Sequence, residues 1–99
     1  MAERSNWVDV RDRRIQEPGA AEAYDAARLA YELGRTVREL REARGWSQTE
    51  LAHAAGMTQS AVARFEAGGT VPSLPVLTRV ARALDADLVV QVTPRAGVA

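Results

Sequence analysis

The stretch from residue 47 to residue 67 constrains the fold more than any other part of the chain. It begins with Ser47-Gln48-Thr49-Glu50, a capping box whose first and last side chains each accept a hydrogen bond from the other's backbone N–H. Gly56 interrupts the helix that follows, and Thr58 is placed to cap the next helix, which Gly68-Gly69 ends. The sequence therefore predicts two short helices joined by a tight turn.

The residues inside these two helices have the pattern of a pair that crosses steeply. A helix-turn-helix that reads DNA needs a small residue at the crossing point and a left-handed residue in the turn, and Ala52 and Gly56 meet these needs. Five apolar residues fall at positions that such a pair buries: Leu51, Ala55, Met57, Val62 and Phe65. We predict a helix-turn-helix whose second helix lies in the major groove. The alternative is a helical hairpin in a small bundle, whose polar residues only face solvent.

The second helix of this pair is predicted to turn four side chains outward: Gln59, Ser60, Ala63 and Arg64. Glutamine can bond an adenine edge twice, arginine a guanine edge and serine either, while an alanine methyl can contact thymine. Gln48, in the first turn of the preceding helix, is placed to bond a phosphate oxygen. For Arg64, an ion pair with Glu66 or Asp85 is the alternative to reading a base.

Helices are also predicted on both sides of this pair. Residues 20–44 contain no proline and one glycine, and Gly45 is placed to end the helix that they form. Four apolar residues recur along it at helical spacing: Leu29, Leu33, Val37 and Leu40. Ser73 is predicted to cap a last helix, which ends at Asp85-Ala86-Asp87. Its predicted apolar face consists of Leu74, Leu77, Val80, Ala81 and Leu84.

The segment after the last helix has the composition of a β-strand. Leu88-Val89-Val90-Gln91-Val92-Thr93 is rich in β-branched residues and is bounded by Pro94. A lone strand needs a partner, and the rest of the chain has no second segment of this kind. One short strand is therefore predicted beside an otherwise helical fold.

Composition argues against several functional classes. The formal net charge is zero, because residues 1–34 carry seven acids and five arginines while residues 35–99 carry eight arginines and six acids. A neutral chain is not expected to coat nucleic acid through bulk electrostatics. The chain has no cysteine and a single histidine, His53, so we expect neither a disulfide nor a metal site, and no cofactor.

We expect no enzymatic activity, since the sequence offers no paired acid and base and no activated nucleophile. Asp85 and Asp87 are interpreted as a helix end and turn, and Ser60 and Ser73 as contact and cap residues. No apolar run approaches the roughly 20 residues of a membrane span, and the first residues lack the order of a signal peptide. A cytoplasmic protein with no membrane partner is therefore expected.

Residues 35–84 resemble the Cro/CI-type helix-turn-helix family of phage repressors and bacterial regulators. The resemblance is carried, with nothing inserted, by Ser47 to Ala52, Gly56 to Val62 and Phe65 to Gly68. It implies an all-α, lambda-repressor-like bundle that binds palindromic operator DNA as a symmetric homodimer. It also implies a set of DNA contacts: Gln48, Thr58, Gln59, Ser60, Ala63, Arg64, Gly69 and Thr70. At Gly69 and Thr70, in the loop after the second helix, the backbone would touch phosphate.

The flanks look most like those of HigA- and HipB-type antitoxins, because a long helix precedes the domain and a strand follows it. The loop Pro72-Ser73-Leu74 and the arm Trp7-Val8-Asp9-Val10 are similar as well. This resemblance implies an antitoxin that neutralises a small basic ribonuclease toxin of the RelE/HigB kind and represses its own operon. The alternative is a stand-alone regulator whose N-terminal helix serves dimerisation or binds a ligand.

The antitoxin resemblance divides the chain into three parts. Residues 1–34 would bind the toxin, residues 35–86 DNA, and residues 87–99 a second copy, through strands paired across a two-fold axis. The expected toxin contacts are Trp7, Val8, Val10, Ile15, Tyr24 and Tyr31. The alternative for the two tyrosines is packing onto the domain itself. The expected dimer contacts are Leu88, Val89, Val90, Gln91 and Val92.

Overall fold

Residues 19–96 are described by a computed structural model, and the regular secondary structure among them is entirely helical. In chain order the helices are α1 (Ala20–Ala43), α2 (Gln48–Ala55), α3 (Gln59–Glu66) and α4 (Leu74–Ala83). Helix α2 packs against both α3 and α4, and α1 packs against α3. The predicted all-α bundle with a long first helix is confirmed.

The ends of α2 and α3 are fixed by the local signals that predicted them. The backbone N–H of Glu50 donates to Ser47 Oγ at 3.1 Å, and the backbone N–H of Ser47 donates to Glu50 Oε1 at 3.0 Å. Gly56 ends α2 with a φ of 67°, a left-handed conformation that glycine adopts without steric cost. Thr58 Oγ1 then accepts the backbone N–H of Ala61 at 3.1 Å. The turn between the two helices is therefore tight and capped on both sides.

The core lies where α2, α3 and α4 meet the C-terminal half of α1. Its least exposed large side chains are Phe65, Leu51, Val62 and Val80. The other buried apolar residues are Val37, Ala52, Ala55, Leu77 and Leu84. Met57, predicted to be buried, is half-buried against this core. Burying the inner face of α3 in this way leaves its opposite face in solvent.

The apolar stripe predicted along α1 is only partly correct. The buried residues of α1 are Gly34, Val37 and Arg41, so Val37 is the one stripe residue that is fully buried. Leu29 is 65% exposed and Leu40 37%. Leu29 precedes the first buried position of α1, Gly34, so it has no core to enter. Spacing alone predicted the helix correctly but could not show how much of its length is packed.

Gly34 is the point of closest approach between α1 and α3. A Cβ atom built on Gly34 would lie against the backbone carbonyl oxygens of Phe65 and Glu66. These oxygens belong to the last turn of α3, so no side-chain rotation can make room for the extra atom. The single glycine of α1 therefore sets the distance between the two helices.

Helix α4 and the segment after it correct three further predictions. Ser73 occupies the N-cap position of α4, but its side chain makes no capping hydrogen bond, and Leu74 is 57% exposed. Among residues 86–96 there is no strand, so the strand predicted over Leu88 to Thr93 is wrong for the single chain. The physical reason is that a strand exists only through hydrogen bonds to a neighbour, and the described chain offers none.

Substituting Gly34 tests the close approach of α1 and α3. We expect Gly34→Ala to lower the free energy of unfolding by about 2 kcal/mol, because the added methyl forces the two helices apart. Intrinsic helix propensity would act the other way, favouring alanine by about 1 kcal/mol. Urea unfolding followed by circular dichroism measures the difference. Thr36→Ala, at an exposed position of the same helix, is the control and should not destabilise the chain; a Gly34→Ala variant as stable as the native chain would contradict the assignment.

Candidate nucleic-acid interface

The outer face of α3 presents the predicted base-reading residues side by side. Gln59, Ser60 and Arg64 are exposed and Ala63 is half-buried, while the opposite face of the helix is held in the core. The polar groups on this face are an amide, a hydroxyl and a guanidinium, which can donate to or accept from base edges. The four residues thus share one surface, and their contacts with bases stay a prediction.

Gln48 and Gln59 are joined by a hydrogen bond across the helix-turn-helix. Gln59 Nε2 donates to Gln48 Oε1 at 2.8 Å, and Gln48 Nε2 donates to Glu66 Oε1 at 3.1 Å. The residue predicted to bond phosphate is therefore in direct contact with a residue predicted to read a base. Each amide is held by its neighbour, so rotation of one is coupled to the other.

These amides are anchored by a buried ion pair between α1 and α3. Arg41 Nε donates to Glu66 Oε2 at 2.7 Å and Arg41 Nη2 to Glu66 Oε1 at 3.0 Å, with side chains only 10% and 3% exposed. Arg41 Nη1 donates to the backbone oxygen of Trp46 at 2.6 Å. A buried charge is tolerated only when it is paired and hydrogen-bonded, and here both conditions are met.

The charge of Arg41 is maintained by its surroundings. Its hydrogen bond to Glu66 raises the pKa of Arg41 above its ordinary value, burial opposes this, and the negative charges of Glu66 and Glu42 add to the increase. The guanidinium therefore remains protonated wherever the protein is folded. The Glu66 carboxylate in turn receives hydrogen bonds from both Arg41 and Gln48.

The ion pair was not predicted from the sequence, and it removes the alternative proposed for Arg64. Glu66 is bonded to Arg41, and Asp85 accepts a hydrogen bond from Arg44 Nη1 at 3.1 Å. Neither acid pairs with Arg64 in the described part of the chain. The Arg64 side chain is thus exposed on α3 beside Ser60, without the ion pair that would have occupied it.

The loop after α3 is shaped to bring backbone groups close to the same surface. Gly68 takes a φ of 80°, and the backbone N–H of Gly69 donates to Arg64 O at 2.9 Å. Gly69 and Thr70 are exposed, as backbone groups that bind phosphate must be. Thr58, whose oxygen caps α3, lines a hollow of about 300 Å³ with Arg64 and Thr70.

The residues predicted for toxin binding and dimerisation are not on the outer face of α3, and four of them lie outside the described residues. Tyr24 and Tyr31 are 41% and 57% exposed on α1. Trp7, Val8, Val10 and Ile15 fall outside residues 19–96. Leu88 is half-buried against the core, and the four following residues are exposed: Val89, Val90, Gln91 and Val92. Exposed apolar groups of this size are available for a partner.

Residues 19–96 contain neither a candidate metal site nor a candidate membrane-spanning helix. No group of three histidine, cysteine, aspartate or glutamate side chains there could hold a metal ion. No helix in the same range is both long enough and apolar enough to cross a membrane.

The capped helix pair, its buried crossing point and its polar outer face define a DNA-binding helix-turn-helix of the type found in transcriptional regulators. The chain belongs to the helix-turn-helix domain family, whose match covers residues 32–91. The predicted resemblance to helix-turn-helix regulators is confirmed at this level.

Similar proteins support the same assignment. The uncharacterized HTH-type transcriptional regulator y4dL of Sinorhizobium fredii is 45% identical over 53 residues, 54% of this chain and 27% of that protein. The restriction-modification controller protein C.AhdI from Aeromonas hydrophila is 38% identical with a TM-score of 0.57, over 59% of this chain and 88% of that one. The clp gene regulator ClgR from Corynebacterium glutamicum is 30% identical with a TM-score of 0.58, over 60% of this chain and 63% of that one.

The chain spans about a quarter of the length of the curated relative that it matches. The family match begins at residue 32, so the first turns of α1 and residues 1–18 precede it.

Replacing the ion pair separates its structural role from its role in the site. Arg41→Met alone should lower the free energy of unfolding by about 3 to 5 kcal/mol, because Glu66 is left buried and unpaired. Arg41→Met combined with Glu66→Leu should recover most of that loss. The double variant should nevertheless bind DNA several-fold more weakly, since Gln48 has lost the acceptor that orients it.

Denaturant unfolding and fluorescence anisotropy with a DNA duplex measure the two effects on the same preparations. If the double variant is stable and binds DNA as tightly as the native chain, Glu66 does not orient Gln48.

Proposed function

We propose that this protein is a dimeric, sequence-specific transcriptional repressor that inserts α3 into the major groove of its operator. The observation that carries the proposal is the hydrogen-bonded series from Glu66 through Gln48 to Gln59, which ends at the exposed face of α3. A residue that only faces solvent would not need to be oriented from the core. Preorganised amides lose less conformational entropy when they bind a base or a phosphate.

Each polar group of the interface is assigned one role in this proposal. Gln59 bonds an adenine edge, Arg64 a guanine edge and Ser60 either base edge, while the methyl of Ala63 contacts a thymine methyl. Gln48, Thr58 and the backbone at Gly69 and Thr70 bond phosphate oxygens, which fixes the register of α3 without reading sequence.

Dimerisation is assigned to the segment from Leu88 to Val92. Within this segment of five residues, Val89, Val90 and Val92 are 79%, 66% and 94% exposed. Three neighbouring apolar side chains exposed to water form a surface that a partner could cover. Pairing with the same segment of a second copy would supply the missing strand partner. A two-fold axis there would set the two α3 helices about 34 Å apart, one turn of DNA.

Substituting Arg64 tests whether α3 reads bases. Arg64→Ala should weaken binding to a selected operator duplex by about 1 to 3 kcal/mol and should relax the preference at one base pair of each half-site. Arg82→Ala removes the same charge from the exposed surface of α4 and serves as the control. Anisotropy titrations against operator and random duplexes measure both. Equal losses on the two duplexes for Arg64→Ala would show that Arg64 binds phosphate instead of a base.

A narrower proposal is that this repressor is also an antitoxin of the HigA kind. It is supported by the long helix α1 ahead of the helix-turn-helix, whose N-terminal turns carry exposed Tyr24, Leu29 and Tyr31. Large aromatic residues on a projecting helix suit a protein interface. The partner would be a small basic ribonuclease, attracted to the more acidic first third of the chain. The other candidate is a stand-alone regulator, and the relatives, described as transcriptional and gene regulators, do not distinguish the two.

Co-expression with the product of the adjacent gene tests the antitoxin proposal. We expect that product to arrest growth alone, and this chain to restore growth and to co-purify with it. Tyr24→Asp should reduce rescue, because it places a charge in the proposed interface, whereas Arg64→Ala should rescue fully. A neighbour that is neither toxic nor bound would leave the stand-alone regulator as the function.

A further inference from the structure

A polar cleft lies between α1, the start of α2 and the end of α3, next to the proposed phosphate contact. Its volume is about 230 Å³, and its lining residues are Arg38, Arg41, Gln48, Ala63, Glu66 and Ala67. Gln48 and Ala63 are also members of the predicted DNA-contact set. The cleft therefore opens beside the face that the proposed function turns toward DNA.

One of the two arginines that line this cleft, Arg38, has no buried acid as a partner. Arg41 and Glu66 neutralise each other within hydrogen-bond distance and are buried. Arg38 is the other charged residue of the lining, and its side chain is 61% exposed. An anion approaching Gln48 from solvent would consequently meet the Arg38 guanidinium.

Arg38 has an intrahelical partner, but the contact is the loosest of its kind on α1. Arg38 Nε lies 3.6 Å from Glu42 Oε1, whereas the matching distances are 3.1 Å for Arg28–Glu32 and 2.9 Å for Arg35–Glu39. The side chains of Arg38 and Glu42 are both more than half exposed. Exposed pairs of this kind contribute little to stability. The guanidinium can therefore exchange Glu42 for another anion at little cost.

We propose that Arg38 binds a DNA phosphate neighbouring the one assigned to Gln48, which makes α1 a third DNA-contacting element beside α2 and α3. This inference rests on the proposed function. A guanidinium and a phosphate form charge-assisted, bidentate hydrogen bonds, which are stronger than those of the neutral Gln48 amide. Because phosphates are the same in every sequence, Arg38 contributes affinity and register but no base preference.

The experiment is a salt titration of DNA binding by full-length variants. Arg38→Gln should weaken binding to a selected operator and to a random duplex by the same factor. It should also reduce the slope of log K against log salt by about 0.9, the value for one lost phosphate contact. Arg38→Lys keeps the charge and should keep the slope. Arg82→Gln, which removes a charge outside the cleft, should leave the slope unchanged.

An Arg38→Gln slope equal to that of Arg82→Gln would overturn this inference and leave the proposed function intact. A native chain that binds neither duplex would overturn both. Loss on the operator alone would also contradict the inference, because it would make Arg38 a base-reading residue. Circular dichroism of each variant verifies the fold, which an exposed substitution at Arg38 should not disturb.

Discussion

The buried ion pair between Arg41 and Glu66 is the interaction on which the rest of the structure depends. It joins the long first helix to the last turn of α3 with two hydrogen bonds. Arg41 also donates a hydrogen bond to the backbone oxygen of Trp46. Burying an ion pair brings little net stability, since desolvation offsets most of the Coulomb attraction. Its two hydrogen bonds hold α1 against the last turn of α3 in the observed placement.

Two side-chain amides, those of Gln48 and Gln59, connect this ion pair to the surface. Glu66 Oε1 accepts from Gln48 Nε2 as well as from Arg41 Nη2, and Gln48 Oε1 accepts from Gln59 Nε2. Two side chains therefore connect the buried carboxylate to the proposed DNA face. Gly34 contributes to the same geometry by letting α1 approach the backbone of α3 closely. A single contact region thus sets both the packing of the bundle and the orientation of its polar outer face.

The sequence predicted the parts of the fold that depend on neighbouring residues. The capping box at Ser47, the left-handed Gly56 and the outward face of α3 follow from local rules, and the structure confirms each of them. The Arg41–Glu66 pair was missed because its members are 25 residues apart and no local pattern connects them. The exposure of Leu29 was missed because periodicity shows that a helix is amphipathic but not which turns are covered.

The tail shows a different limit of sequence-based prediction. Its β-branched residues have the composition of a strand, yet strand formation depends on a partner that one chain does not contain. The same holds for the residues assigned to toxin binding, whose role depends on a second protein. Local features of the domain were thus predictable, whereas features that need a residue distant in sequence or a second chain were not.

Selection of binding sites from a randomised DNA duplex pool tests whether α3 reads bases in the major groove. Base reading by α3 predicts enrichment of inverted half-sites whose centres lie about one helical turn, roughly 10 base pairs, apart. It also predicts a guanine and an adenine among the enriched positions of each half-site, as Arg64 and Gln59 require. Recovery of duplexes with no sequence in common would contradict it and would reduce the protein to a non-specific DNA binder.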